Sequence, residues 1–281
     1  MSNMKRTKII AEIASSHNGD IKLAKALVRA TAQAGADIVK FQSWQAKNVS
    51  DSDPDKARYG RLELSDAAHK IIAEECKKAG IEFLTTCFDR ERIPFLKNLG
   101  LKKIKVPSTA LKEAKLLEAL VQNFDHIFIS IGMSTVDEIK KAMKILSKTN
   151  YTIMHCISIY PTPLEKASLA KINWLKRHAK SVGYSDHTMG TEAPIIAMSM
   201  GIDYLEKHFT LSRHLPQETH TTSEEAVPIT THTIACEPRE LKEICDWSRK
   251  IERIMGDEHL DMYSEEKTTR KKYTGRLGEN K

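Results

Sequence analysis

Val182-Gly-Tyr-Ser-Asp-His-Thr188, a helical run ending Met198-Ser-Met-Gly201, and Asp203-Tyr-Leu-Glu-Lys-His-Phe209 follow one another as strand, helix and strand. His187 lies just beyond the first strand and His208 at the end of the second. If the two strands are parallel neighbours, both imidazoles open at the same end of the sheet. A metal or an anionic substrate can be held there.

The same alternation runs through the rest of the chain. Strand-like runs occupy residues 8–15, 37–43, 82–88, 102–107, 126–132, 151–158, 181–185 and 203–209, each ahead of a helical pattern. The first helix repeats Leu23, Leu27, Ala30 and Ala34 and is closed by Gly35; residues 64–79 form another, closed by Gly80. Gly100 ends the helix of the third unit, and Thr135-Val-Asp-Glu138 is a capping box. Pro161 and Pro163 exclude a helix until after Leu164. Eight such units, with no insertion large enough for a second domain, predict an α/β fold: a single-domain (β/α)8 TIM barrel over residues 1–256, with a basic C-terminal tail at 257–281. The competing doubly wound sheet is disfavoured, because no Gly-x-Gly-x-x-Gly follows the first strand. Two long polar loops, 44–63 and 210–238, are expected to fold over the mouth as lids.

Hydrophobic residues at 41% and charged residues at 29% describe a soluble globular chain. Forty-four Lys and Arg against 37 Asp and Glu give +7, a balance open to nucleic acid, acidic surfaces or small anions. Most of these cations interleave with Glu on helical faces, and the one dense basic run, 267–276, has no aromatic-rich module beside it. No nucleic-acid partner is therefore expected. The five cysteines include no Cys-x-x-Cys pair, which points to a reducing compartment. No apolar run reaches the length of a membrane span and no signal-peptide pattern opens the chain, so a cytoplasmic protein with no membrane association is expected.

In a TIM barrel the chemistry sits on the loops after the strands. Those ends carry Glu12 and His17-Asn18; Lys40 and Gln42; Thr85, Thr86 and Asp89; Lys105 and Ser108; Ser130; His155, Ser158 and Tyr160; Ser185, Asp186 and His187; and Glu206, Lys207 and His208. Two lysines and several hydroxyls at one mouth suit a phosphate or carboxylate. Two imidazoles on successive strand ends suit Mn²⁺, Fe²⁺ or Zn²⁺, with Glu206 or Asp186 supplying oxygen directly or through a second layer. Cys87 and Cys156 read as small core residues.

These motifs resemble the sialic acid synthase family, the phosphoenolpyruvate-dependent synthases of N-acetylneuraminate and related nonulosonic acids. The matching pieces include Ala11-Glu12-Ile13, His17-Asn18-Gly19-Asp20, Val39-Lys40-Phe41-Gln42, Leu84-Thr85-Thr86 and Lys105-Val106-Pro107-Ser108. Ser130-Ile131-Gly132, Tyr160-Pro161, Gly183-Tyr184-Ser185-Asp186-His187 and Glu206-Lys207-His208-Phe209 continue the match in order. The resemblance implies a cytoplasmic homodimer that condenses phosphoenolpyruvate with an aldehyde sugar. It places phosphoenolpyruvate on Lys40, Thr86, Lys105, Ser108, Ser130 and Ser185, with Ser158 where members often carry asparagine. It places a divalent metal, Mn²⁺ or Mg²⁺, on His187 and His208, the acceptor on Gln42 and Tyr160, and Glu12 among the catalytic groups.

The chain departs from the family pattern in the acceptor half. Ser108 is followed by Thr109 and Ala110 where members carry an acidic residue, and Thr231-His232 stands where Gly-Pro-Asp-His is usual. The family's C-terminal antifreeze-like domain is expected to be missing. Glu12, Glu218, Glu224 and Glu225 are the candidates for the space left by Ala110. The alternative is a barrel that binds phosphoenolpyruvate or another anion without turnover.

Overall fold

The structure, a computed structural model, describes residues 5–217, 230–256 and 260–276. Each short apolar run pairs in parallel with the next, and the last returns to the first, giving a closed barrel in the order β1 to β8. In chain order the elements are β1 (Lys8–Glu12), α1 (Ile21–Ala34), β2 (Ile38–Ser43), α2 (Lys56–Leu62), α3 (Asp66–Ala79), β3 (Glu82–Cys87), α4 (Ile93–Asn98), β4 (Lys103–Val106) and α5 (Ala114–Asn123). Then come β5 (His126–Ser130), α6 (Val136–Leu146), β6 (Asn150–Cys156), α7 (Lys171–Lys176), β7 (Val182–Asp186), α8 (Glu192–Ser199), β8 (Tyr204–His208), α9 (Thr231–Ile234), α10 (Pro238–Met255) and α11 (Glu266–Tyr273).

The caps explain most boundaries. Asp20 accepts the Lys22 N–H at the start of α1, and Gly35, at φ 89°, ends it in the left-handed conformation that a side chain resists. Thr135 and Glu138 exchange the two bonds of the capping box that opens α6, as their spacing predicts. Helix α3 starts at Asp66, because Ser65 accepts the Ala68 N–H at 3.1 Å while Leu64 is buried beside it. Strand β1 stops at Glu12, short of the predicted Ser15, because Ala14 at φ 46° turns the chain out of the sheet.

Side chains alternate along each strand, so one set fills the barrel and the other meets the helices. Outward residues such as Ile9, Ala11, Val39, Phe41, Ile129 and Leu205 join the main core. Inside, Ile10, Ile38, Leu84, Phe128 and Met154 form a separate buried cluster capped by Tyr204. That plug closes the barrel below the catalytic end, so the mouth is a blind cavity.

Loop 44–63 contains α2, and the described part of loop 210–238 contains α9; Glu218, Glu224 and Glu225 lie outside the described residues. The tail, where no periodicity was expected, holds α11, none of whose residues is buried.

His17, expected at the mouth, is instead packed beneath the first loop. It is fully buried, its Nδ1 accepts the Gly19 N–H at 3.0 Å, and its ring lies 6.1 Å from that of Phe41. Burial, reinforced by His69, lowers its pKa to about 4. Folding therefore favours the neutral ring, and this stabilisation is complete above the unfolded value of 6.5 and lost as pH falls toward 4. Acidifying from about pH 7 to about pH 5 is expected to cost on the order of 1–2 kcal/mol through this residue. Urea melts should show a lower midpoint at the acid pH, with a smaller drop in a His17→Gln variant.

Candidate active site

Two residues above the apolar plug, the inward positions change character together. Glu12, Lys40, Thr86, Lys105, Ser130, Cys156, Ser185 and Glu206 form a polar belt, each following a plug-level position by one period of the strand. All eight are buried. Lys105 Nζ lies 2.8 and 3.0 Å from the two Glu206 oxygens, and the Ser185 hydroxyl donates to Glu206 Oε1 at 2.8 Å. Lys40 is paired with Glu12, lies 3.7 Å from Glu206 Oε2 and donates to Thr86 Oγ1 at 2.9 Å. Gln42 Nε2, one period higher, donates to Glu12 Oε1 at 3.0 Å.

The charges in this belt are unequal in environment. Burial would raise the Glu206 carboxyl, but Lys105 and Lys40 hold it far below the usual range. Glu12 is raised, because burial and the nearby Glu206 charge outweigh the pull of Lys40. Burial and the neighbouring Lys40 lower Lys105 despite Glu206, whereas the Glu12 and Glu206 charges overcome burial and raise Lys40. The belt thus holds two carboxyls pushed in opposite directions, Glu206 down by its two lysines and Glu12 up by burial.

Above the belt, the His187 and His208 rings lie 5.5 Å apart, with the Tyr160 ring 4.1 Å from His187 and 6.4 Å from His208. His187 Nδ1–H donates to the Ile157 carbonyl at 2.7 Å, which leaves the Nε2 lone pair for a ligand. His208 Nδ1 is buried without a hydrogen-bond partner. Burial, His187 and Lys40 lower its pKa well below the ordinary value, so the ring is neutral. Burial would lower His187, but Cys156, the Ile157 carbonyl and Asp186 outweigh it and raise the ring, so a divalent ion bound there would displace its Nε2 proton. Two imidazoles facing one space suit such an ion with open coordination positions. Among the described residues no group of three or more His, Cys, Asp or Glu side chains is arranged to hold a metal.

The oxygen ligands suggested by sequence are engaged elsewhere. Both Glu206 oxygens are held by Lys105, and Asp186 points out of the barrel to Lys207. Thr85 is likewise on the outward face, and His155 bonds the Ala167 carbonyl at 2.8 Å while stacking on Tyr184. For Asp186, Thr85 and His155 the correction is one of side: they stand at strand ends, but on the wrong parity to reach the mouth, whereas Glu206 faces it.

Two further hydroxyls meet around Gly132. Its N–H donates to Ser108 Oγ at 2.9 Å, and a Cβ placed there would stand 2.2 Å from Ser158 Oγ and 2.9 Å from Ser108 Oγ. Ser130 Oγ is buried with no partner and is available to a ligand. Ser158 does not line the cavity itself; its hydroxyl, like that of Ser108, crowds the space a side chain on Gly132 would need. The other predicted residues, including Ser108, Gln42 and Tyr160, do line this cavity of about 310 Å³. So does Cys156, whose thiol lies 3.8 Å from His187 Nδ1. Strand parity alone would have placed that cysteine inside. Trp44, Arg58 and Tyr59 of the second loop and Thr231 of α9 complete the wall, and no strand periodicity pointed to them.

A closed barrel with lysines, carboxylates and two imidazoles gathered at the catalytic end defines the class, a (β/α)8-barrel enzyme. The model of the NeuB family matches residues 27–260. The chain is 38% identical over 275 residues to an N,N'-diacetyllegionaminic acid synthase of Campylobacter jejuni, spanning 90% of this chain and 79% of that protein. It is 29% identical over 266 residues to the N-acetylneuraminate-9-phosphate synthase of Mus musculus, spanning 88% and 71%. A solved structure of an N-acetylneuraminic acid synthetase from Leptospira borgpetersenii, in complex with citrate, superposes with a TM-score of 0.85 at 27% identity, covering 97% of this chain and 93% of that one. The chain belongs to the NeuB family.

Proposed function

We infer that the protein condenses phosphoenolpyruvate with an aldehyde sugar, giving a 2-keto-3-deoxy sugar acid and releasing phosphate. The observation that carries the reading is the Lys40–Glu206–Lys105 belt, with an unpartnered Ser130 hydroxyl, lying below the paired His187 and His208 imidazoles. In this reading Lys40, Thr86, Lys105, Ser108, Ser130 and Ser185 hold phosphoenolpyruvate, Ser158 supports Ser108, and Gln42 and Tyr160 face the acceptor. His187 and His208 would hold Mn²⁺ or Mg²⁺, which when bound supplies Lewis-acid polarisation of the acceptor aldehyde.

C3 of phosphoenolpyruvate bonds to the aldehyde carbon, whose oxygen takes a proton; we assign that proton to Glu12, the raised carboxyl of the belt. Water adds at C2 and gives one proton back to Glu12; the C–O bond to phosphate then breaks, the remaining C2 hydroxyl proton leaves with the phosphate, and the keto group is formed. Lys40 and Lys105 stabilise the charge on the phosphoenolpyruvate oxygens throughout. The reading includes a cytoplasmic homodimer with a barrel at 1–256 and a separate tail. Five free cysteines support the reducing compartment, and no described helix is long and apolar enough to cross a membrane.

Incubation with phosphoenolpyruvate, Mn²⁺ and a panel of N-acylated aldohexoses should give a product whose mass equals acceptor plus the three-carbon acid unit. Bound phosphoenolpyruvate with no product from any acceptor would favour the anion-binding alternative that the buried Ala110 leaves open. Gly132→Ala should push Ser158 and Ser108 apart and weaken phosphoenolpyruvate binding about tenfold, on the order of 1.4 kcal/mol, measured by calorimetry with thermal stability nearly unchanged.

A further inference from the structure

Asp186 and Lys207 each stand one residue before a candidate ligand, His187 and His208, and they are register partners on β7 and β8. Alternation turns both away from the mouth, onto the outer wall of the barrel behind Ser185 and Glu206. Each is only 1% exposed. Lys207 Nζ lies 2.5 Å from Asp186 Oδ2 and also donates to the Thr188 carbonyl. One ammonium from β8 therefore grips the residues on both sides of His187. The carboxylate is held just as fully. Tyr184 OH donates to Asp186 Oδ1 at 2.6 Å, and the Thr188 N–H and hydroxyl donate to Oδ1 and Oδ2 at 3.0 and 3.1 Å.

A buried ion pair stabilises a wall no better than a packed apolar pair, since desolvation offsets the Coulomb gain. Two residues lower on β8 the outward residue is Leu205, which needs no such network. What a fully satisfied charge pair supplies that Leu205 does not is direction: it fixes the two strand ends to each other at one distance and one angle. The rings carried on the next residues are 5.5 Å apart and share no hydrogen bond, so nothing between the imidazoles themselves holds that spacing.

We propose that Asp186 and Lys207 are positioning residues that set the spacing of His187 and His208 from behind the barrel wall and thereby fix the divalent-metal affinity of the mouth. This rests on the reading of those histidines as the metal ligands. The test is Mn²⁺ titration of Lys207→Met, followed by calorimetry and by the electron paramagnetic resonance signal of the ion. The Mn²⁺ Kd is expected to rise about tenfold or more, the range seen when groups supporting metal ligands are removed. A Leu27→Ala variant, altered in the α1 core far from the mouth, controls for lost stability and should keep the original Kd.

Should Lys207→Met not fold, Tyr184→Phe decides: it removes one donor to Asp186, keeps the ring, and is expected to weaken Mn²⁺ in the same direction by less. An unmodified protein that binds Mn²⁺, with Lys207→Met or the deciding Tyr184→Phe binding it equally well, overturns the positioning role alone. An unmodified protein that binds no Mn²⁺ overturns the metal reading and this inference together. Equal weakening in Leu27→Ala reduces the pair to ordinary scaffolding and also overturns the proposal.

Discussion

Lys105→Met is expected to abolish measurable phosphoenolpyruvate binding and to destabilise the barrel by about 3–5 kcal/mol. The lysine is buried, and its ammonium bonds both oxygens of Glu206. Removing it leaves Glu206 in the barrel interior with the Ser185 hydroxyl at 2.8 Å and Lys40 at 3.7 Å, so an ionised carboxylate loses its main partner. Two effects are then mixed, and a second variant separates them. Lys105→Met combined with Glu206→Gln removes both charges and should recover most of the lost stability in urea melts. It should not recover phosphoenolpyruvate binding, because the cation for the substrate is still missing. Recovery of binding in the double variant would show that Lys105 serves the belt and not the substrate.

His208→Ala is expected to eliminate tight Mn²⁺ binding and to lower turnover by about 10²–10³-fold, the scale of losing one electrostatic stabiliser of a reacting oxygen. His187→Ala should behave alike. In His208 the neutral ring has a buried Nδ1 with no partner, so replacing the ring leaves no group unsatisfied at that atom. His187 gives up one bond, to the Ile157 carbonyl at 2.7 Å. Both variants should therefore melt within a few degrees of the original protein while calorimetry records no Mn²⁺ heat. Unchanged metal content in either would remove that residue from the ligand set.

The barrel was legible because its signal is repeated: eight apolar runs, each followed by a helical pattern, leave few other architectures, and the caps at Gly35, Gly80 and Thr135 mark real ends. The site was half legible. Lys40, Lys105, His187 and His208 stood out because charges and imidazoles at strand ends need a reason. A strand-end position alone does not separate the mouth from the outer wall: Lys207, Asp186, Thr85 and His155 share it with Lys40 and His208, but period-2 alternation turns them outward. His17 illustrates a different loss. It follows a strand, but the positive φ of Ala14 sends the chain away and buries the ring under the loop. The ion pairing of Lys105 with Glu206, 101 positions apart, depends on barrel closure and has no local signal. Arg58, Tyr59 and Trp44 reach the cavity from a loop whose path carries no periodicity to read.

Phosphate release from phosphoenolpyruvate labelled with ¹⁸O in the bridging C–O–P oxygen reports the condensation itself. Phosphate is expected only when both Mn²⁺ and an aldehyde sugar are present, with the label carried into the phosphate by C–O cleavage. Release without acceptor, or label retained in the organic product, would contradict it.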